Sequence, residues 1–313
     1  MTELWPEIPF GPWQDSCRHL HLVSQIVGKY RLSHTPWLNH SWHATLYVTA
    51  RGLTTSIVPD GPGGIEVEID LIEHRVIARS TAGGIAATPL RPGSIAGFRS
   101  RFVEIIEQVG GTPRFSDTPN EIPDAVPFSA DTQERPYDAE AVNAFFRACV
   151  QVDRVFKQFR TGFIGKVSPV HLFWGSFDMA VTRFSGDRAP RHPGGVPALP
   201  DDVTAEAYSH QVSSAGFWPG GGGIDYPAFY SYAYPGPDGF AEAIVEPAEA
   251  RFDQSLGEFI LPYDAVRTAP DPDKALLAFL QTSYDAAAIL GQWDRASLEC
   301  APGRPLEART VET

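Results

Sequence analysis

The chain has 313 residues, 43% of them hydrophobic and 12% aromatic, with a net charge of −13 and only four lysines. That is enough apolar material for a buried core, so a disordered chain is excluded. An acidic chain without a basic block also makes a poor partner for nucleic acid or an anionic membrane surface.

Cys17, Cys149 and Cys300 are sparse, odd in number and widely spaced, which argues against a disulfide framework and fits a reducing compartment. Cys149 lies among Phe145, Phe146 and Val150 and reads as a buried thiol rather than a nucleophile. The opening MTELWPEIPFGPW has no basic start followed by an apolar run, so no signal peptide is expected. No apolar stretch approaches the roughly 18 residues that span a membrane. A cytoplasmic protein is the expectation.

In chain order, residues 1–16 read as a Trp- and Pro-rich arm packed on the body. Residues 17–32 show helical spacing, with Leu22, Ile26 and Tyr30 on one face. A strand is predicted over 41–51, rich in β-branched and aromatic types, followed by strands at 65–73 and 75–80. Ser94 is the expected N-cap of a helix ending near Val109, closed by Gly110-Gly111.

The first half thus covers 17–111, and a Pro-rich connector covers 112–137. The second half, 138–298, opens with a helix at 139–160. A strand at 173–184, strands near 228–234 and 258–261, and a helix at 273–290 follow. Between 186 and 227 lies a Gly- and Pro-rich insertion, whose length marks a functional or disordered loop. Residues 299–313 are expected to be a disordered tail.

Two stretches match one another. Thr35-Pro36 opens TPWLNHSWHATLYVTARG and Ser168-Pro169 opens SPVHLFWGSFDMAVTRFSG. Val27-Gly28-Lys29 and Ile164-Gly165-Lys166 precede them. The series predicts an internal duplication: an α+β fold of two related halves, each helix, antiparallel strands, helix, packed as one body. The strings LVSQIVGK, TPWLNHSWHATLYVTARGLTT, FIGKVSPVHLFWGSFDMAVTRFSG, HPGGVP and EAYSHQVSSAGFWPGGGG carry a resemblance that spans the chain from Trp5 to about Glu299. On them the chain resembles a family of bacterial and some fungal proteins of similar length known only as a domain of unknown function. That resemblance implies no activity.

Side chains alternate along a strand. In the first copy His43, Thr45, Tyr47 and Arg51 share a polar face; in the second Trp174, Ser176, Asp178 and Thr182 do. A polar face of an antiparallel sheet is often simply solvated. The competing reading is a pocket between the halves, lined by His43, Tyr47, Arg51, Trp174 and Asp178 and covered by the Gly-rich insertion with Trp218 turned inward. Imidazole, carboxylate, guanidinium and aromatic walls suit a small polar organic molecule, bound and, if the protein is an enzyme, converted.

In that reading His43 is general base or metal ligand, Asp178 orients it, and His210 enters from the insertion. Arg51 holds an anionic group, with Tyr47, Trp174 and Trp218 as walls. His40 and His171 lie on the register of the apolar faces and read as structural. His43, Asp178 and His210 could form a two-His-one-carboxylate site, but no spacing demands a metal and no cofactor is named by the residues. Residues 220–223, all glycine, are followed by neither Gly-Lys-Ser/Thr nor a clear helix start and read as a hinge. The alternative function is a non-enzymatic module that binds another protein through an aromatic surface.

Overall fold

The computed structural model describes residues 4–221 and 223–309. Helix α1 spans Phe10–His34, with Leu20, Val23, Ile26, Val27 and Tyr30 fully buried. A helix apolar on most of its circumference belongs inside the molecule, and α1 lies in a core shared by both halves. It begins earlier than the expected arm allowed, because Trp13 and Cys17 continue its buried face backwards. Of the arm, Trp5 packs against Tyr263 at 6.0 Å, and the Tyr263 hydroxyl donates to the Pro6 carbonyl at 2.8 Å.

The predicted strand over 41–51 does not form. Asn39–Ser41 make a 3-10 turn, and only β1 (Tyr47–Val48) is extended. His40 and Ser41 take left-handed φ values of 56° and 57°, a conformation that a strand excludes. His40 is held there by contacts across the molecule. Its backbone N–H donates to Glu206 Oε2, and its Nδ1 lies 2.8 Å from the Ala207 carbonyl.

The chain then runs as a plain antiparallel meander, β1-β2-β3-β4-β5, with β2 (Gly52–Asp60), β3 (Gly63–Asp70), β4 (Arg75–Ser80) and β5 (Ile85–Pro89). Strand β3 stops at Asp70, short of the expected 73, because its carboxylate accepts from the N–H groups of Ile72 and Glu73 and turns the chain. Helix α2 (Ile95–Gln108) buries Phe98, Phe102, Ile105 and Ile106, and the Ser94 side chain caps it as expected, accepting from Gly97 N–H.

In the second half α3 (Ala139–Arg160) is capped by Asp138, which accepts from Glu140 and Ala141. The strand expected at 173–184 is split. Strand β6 (His171–Phe173) and β7 (Asp178–Arg188) flank a turn in which Phe177 has φ 59°. Short helix α4 (Asp201–Ala207) precedes β8 (His210–Trp218) and β9 (Ala228–Tyr234). Strands β10 (Arg251–Asp253) and β11 (Glu258–Pro262) lead to α5 (Tyr263–Arg267), α6 (Pro272–Leu290) and α7 (Arg295–Leu298).

The six strands stand in the order β10-β11-β9-β8-β7-β6, all antiparallel. Met179, Val181, Phe217, Phe229 and Leu261 turn one face into the core with α3 and α6. Asp178, Ala180 and Thr182 turn to the other. The predicted insertion is therefore only partly a loop, since β8 within it is a central strand of this sheet.

The fold is α+β, with a helix, an antiparallel sheet and a helix in each half; the second sheet is a meander through β6–β9, to which β11 rather than β10 adds. The internal duplication is not confirmed. The matched stretches put β1 opposite β7, the first strand of one meander against the second of the other. The sheets meet instead through β1 and β6, where Leu46 and Leu172 exchange backbone hydrogen bonds of 2.9 and 2.8 Å. The expected disordered tail is tied down at its start: Glu299 bridges to Phe163, and the Cys300 N–H donates to the Gly162 carbonyl at 3.2 Å. Its last residues, 310–313, lie outside the described residues.

Candidate ligand-binding cavity

The outer face of the second sheet is the floor of a cavity of about 500 Å³. Strand pairing aligns Ala180 with Gly216 and Tyr230, and Thr182 with Ser214 and Tyr232, so these side chains share that face. The lining runs along β7 from Asp178 to Phe184, six steps of about 3.3 Å, or roughly 20 Å. Val196, Leu199, Val203 and Tyr208, from the loop before α4 and from α4 with its C-cap, cover it. His40, Trp37 and Trp42 also line it, as do Asn120 and Glu121 of the connector. The cover is fastened to that connector. Glu121 N–H donates to the Pro197 carbonyl at 2.8 Å, and the Asn120 side-chain amide donates to the Ala198 carbonyl.

Aromatic rings are prominent in the lining, which also holds three carboxyl groups. Trp218 lies 4.5 Å from Tyr230, which stacks on Tyr232 at 6.0 Å, and the Tyr232 and Tyr208 hydroxyls are 2.7 Å apart. Trp174 is fixed from behind: its indole N–H donates to the Ala44 carbonyl at 2.6 Å, and Lys29 Nζ lies 5.6 Å from its ring centre. Helix α1 can approach this ring because residue 28 is glycine. A Cβ there would stand 2.2 Å from the indole.

Asp178 is 5% exposed and accepts a hydrogen bond from the Tyr230 hydroxyl. Burial pushes its carboxyl up to about 6, against the opposing hydrogen bonds from Tyr230 and Ser176. Glu121 accepts from Ser176 at 3.0 Å and is pushed up to about 7, by burial first and by the charge of Asp178 as well. Glu258 is raised furthest, to about 8, by burial and then by the charges of Asp178 and Asp253. Its Oε2 is buried without a hydrogen-bond partner, as is Oγ1 of Thr204, a lining residue that is 4% exposed.

The match of a family model to residues 5–300 decides the relationship. The chain belongs to DUF5996, a family of unknown function. No curated protein and no solved structure matches it.

Of the predicted site residues in this DUF5996 chain, Asp178, Trp174 and Trp218 line the cavity. His43, Tyr47, Arg51 and His210 are not among its lining. His43 is 3% exposed; its Nδ1 accepts from the Leu38 N–H at 3.1 Å, and its ring lies 4.6 Å from Trp37. Burial lowers its basicity, and it holds the segment that carries the cavity wall rather than facing Asp178. Tyr47 packs under the Arg31 guanidinium at 5.3 Å. Arg51 pairs with Asp70 at 2.8 Å on the first sheet. His210 sits 6.4 Å from the His40 ring, its Nδ1 3.1 Å from Ser209 Oγ.

His40, read from sequence as structural, does line the cavity, with Lys166 Nζ 2.5 Å from its Nε2. His171 is buried with neither ring nitrogen paired, and burial lowers it to about 3.

The predicted Gly-rich cover is divided. HPGGVP contributes Val196 to the cover, but Gly220, at φ 100°, packs against the Phe10 ring and is not among the lining. Gly222 lies outside the described residues.

Sequence reasoning missed Glu121, Glu258 and the three tyrosines. Tyr230 and Tyr232 had a signal, their alternation with Tyr234 in β9, which puts them on one face; Tyr208, at the end of α4, had none. Glu121 had none, since it sits in the connector. Among the described residues no group of three or more His, Cys, Asp or Glu is arranged to hold a metal ion, so His43, Asp178 and His210 do not converge as one.

Proposed function

We propose that this protein binds a small polar organic molecule in the cavity beneath the 189–209 cover. The observation that carries the reading is a cavity of about 500 Å³ walled by aromatic rings, with Asp178, Glu121 and Glu258 as its carboxyl groups. Ligand sites commonly combine that volume, mostly apolar walls and a few convergent polar groups. Carboxyls raised toward neutrality are also what proton transfer at physiological pH requires. Turnover of the bound molecule therefore falls within the proposal, with Asp178 or Glu121 as the exchanging group.

The aromatic residues support a pocket over a protein-binding surface, because Trp5, Trp13, Trp174 and Trp293 are buried and Trp218 lines the cavity. Cys17, Cys149 and Cys300 are all free thiols, which supports placement in the reducing cytoplasm. Among the described residues no helix is long and apolar enough to cross a membrane.

The test is a thermal-shift screen of a metabolite library, run in parallel on the wild type and on Ala180→Phe. That substitution fills the cavity from its floor without touching the face packed on α3. Compounds that raise the wild-type Tm and leave the filled variant unmoved support the reading. Equal shifts in both proteins, or none in either, overturn it.

A further inference from the structure

The charge and the unpaired atoms of the cavity define which kind of molecule it takes. Among the described lining residues there are three carboxyl groups and neither lysine nor arginine. The ammonium groups beside the lining are engaged: Lys166 is directed at His40 and lies over the Phe184 ring at 4.8 Å, and Lys29 donates to the Asn120 side chain. An anionic ligand would meet three acids with no free cation to offset them.

Two further features point to donors arriving from outside. Glu258 Oε2 and Thr204 Oγ1 are buried and unpaired. A buried acceptor without a donor is costly, and an ammonium offers up to three donors and no acceptor. The rings of Trp174, Trp218, Tyr230 and Tyr232 line the same space, and aromatic rings attract cations.

We propose that the cavity binds a protonated amine, its ammonium among Asp178, Glu121 and Glu258 and its apolar body lying along β7 between the tryptophans. The proposal rests on the small-molecule reading above and names the class of ligand.

The groups facing Asp178 fix the pH dependence. Tyr230 comes from β9, Glu121 from the connector, Glu258 from β11 and Tyr208 from the end of α4, while His40 with Lys166 behind it stands toward the Phe184 end. The tyrosines stay neutral in the working range, since burial raises them, Tyr208 to about 12. Among the groups facing Asp178 the carboxyls change charge, and Lys29, which burial lowers to about 8, stands behind Trp174 and Asn120. Free, the carboxyls hold protons up to about 6, 7 and 8; an ammonium beside them favours the ionised forms. Binding therefore releases protons, and affinity falls as pH is lowered through that range.

Isothermal titration with tryptamine, tryptophol and indole-3-propionate compares an amine, an alcohol and a carboxylate on one ring. At pH 8 tryptamine is expected to bind at least tenfold more tightly than tryptophol. At pH 5.5 that advantage should shrink to less than threefold. At pH 6.5 the heats in buffers of different ionisation enthalpy should report net proton release. Asp178→Asn and Glu121→Gln should each weaken tryptamine at least tenfold while changing tryptophol less than threefold; a cooperative melt confirms that each variant is folded.

Indole-3-propionate binding as well as tryptamine, tryptamine no better than tryptophol at pH 8, or proton uptake would each overturn the amine. If tryptophol or indole-3-propionate binds and tryptamine does not, the amine falls and the pocket stands. If none of the three binds, the amine falls and the pocket is judged by the Ala180→Phe screen.

Discussion

At the scale of single residues, the acids of the cavity oppose folding. Asp178 holds its proton to about 6 in the folded chain, against about 3.9 when unfolded. The folded state binds the proton more tightly, so stability is greatest below the unfolded value. It declines as pH rises from about 4 to about 6, and the penalty is fully present above that. Glu121 and Glu258, raised to about 7 and 8, extend the decline toward pH 8. Asp178→Asn keeps an acceptor for the Tyr230 hydroxyl and removes the charge. It should stabilise the protein at pH 8 by on the order of 3 kcal/mol and flatten the pH 4–6 part of the profile, measured by urea unfolding across pH. A loss of stability at pH 8 would mean that the carboxylate is held by interactions stronger than its burial. Gly28→Ala probes the opposite wall. The new methyl would meet the Trp174 indole at 2.2 Å, and overpacking of this kind typically costs about 1–3 kcal/mol. The ring can yield only toward the cavity, so bulky ligands should be lost before small ones in a size-graded series.

At the scale of elements, the cover is the part expected to move. It consists of loop and one short helix, held by the connector through Glu121 and Asn120 and by His40 through Glu206 and Ala207. Few buried contacts and exposed backbone mark low local stability. Amide exchange over 189–209 should slow at least tenfold on ligand binding, while α3 and β8 change little; uniform slowing across the chain would remove the cover from the binding step. Legibility in the sequence followed local determinacy. Helices α2 and α3 were readable to within a residue or two, because Ser94 and Asp138 cap them and their apolar spacing is helical. Strand β8 was hidden, because serines occupy both its faces and Gly and Pro surround it. The run after Thr35 carries a strand composition, yet His40 and Ser41 are bent into a turn by Glu206 and Ala207, partners more than 160 residues away. Asp178, Trp174 and Trp218 could be found from alternation on the second sheet. His43 could not be separated from them, because the turn that removes it from the strand is set by tertiary contacts.

At the scale of the whole molecule, one hydrophobic core runs through both halves, and the sheets share the Leu46–Leu172 bridge. Calorimetry should therefore give a single cooperative transition whose calorimetric and van't Hoff enthalpies agree. Two resolved transitions would make the halves independent, and residues 1–137 expressed alone would then fold; with one core they should not.

The lining of the cavity comes from chain segments as distant as Leu32 and Glu258. No fragment of the chain carries the whole constellation, and an unfolded chain carries none of it. A ligand of this site is thus a folding partner: at a hundred times its Kd it would add about 2.7 kcal/mol to the native state. Destabilising substitutions far from the cavity should be rescued by it, so the abundance of such variants in cells would rise and fall with supply of the ligand.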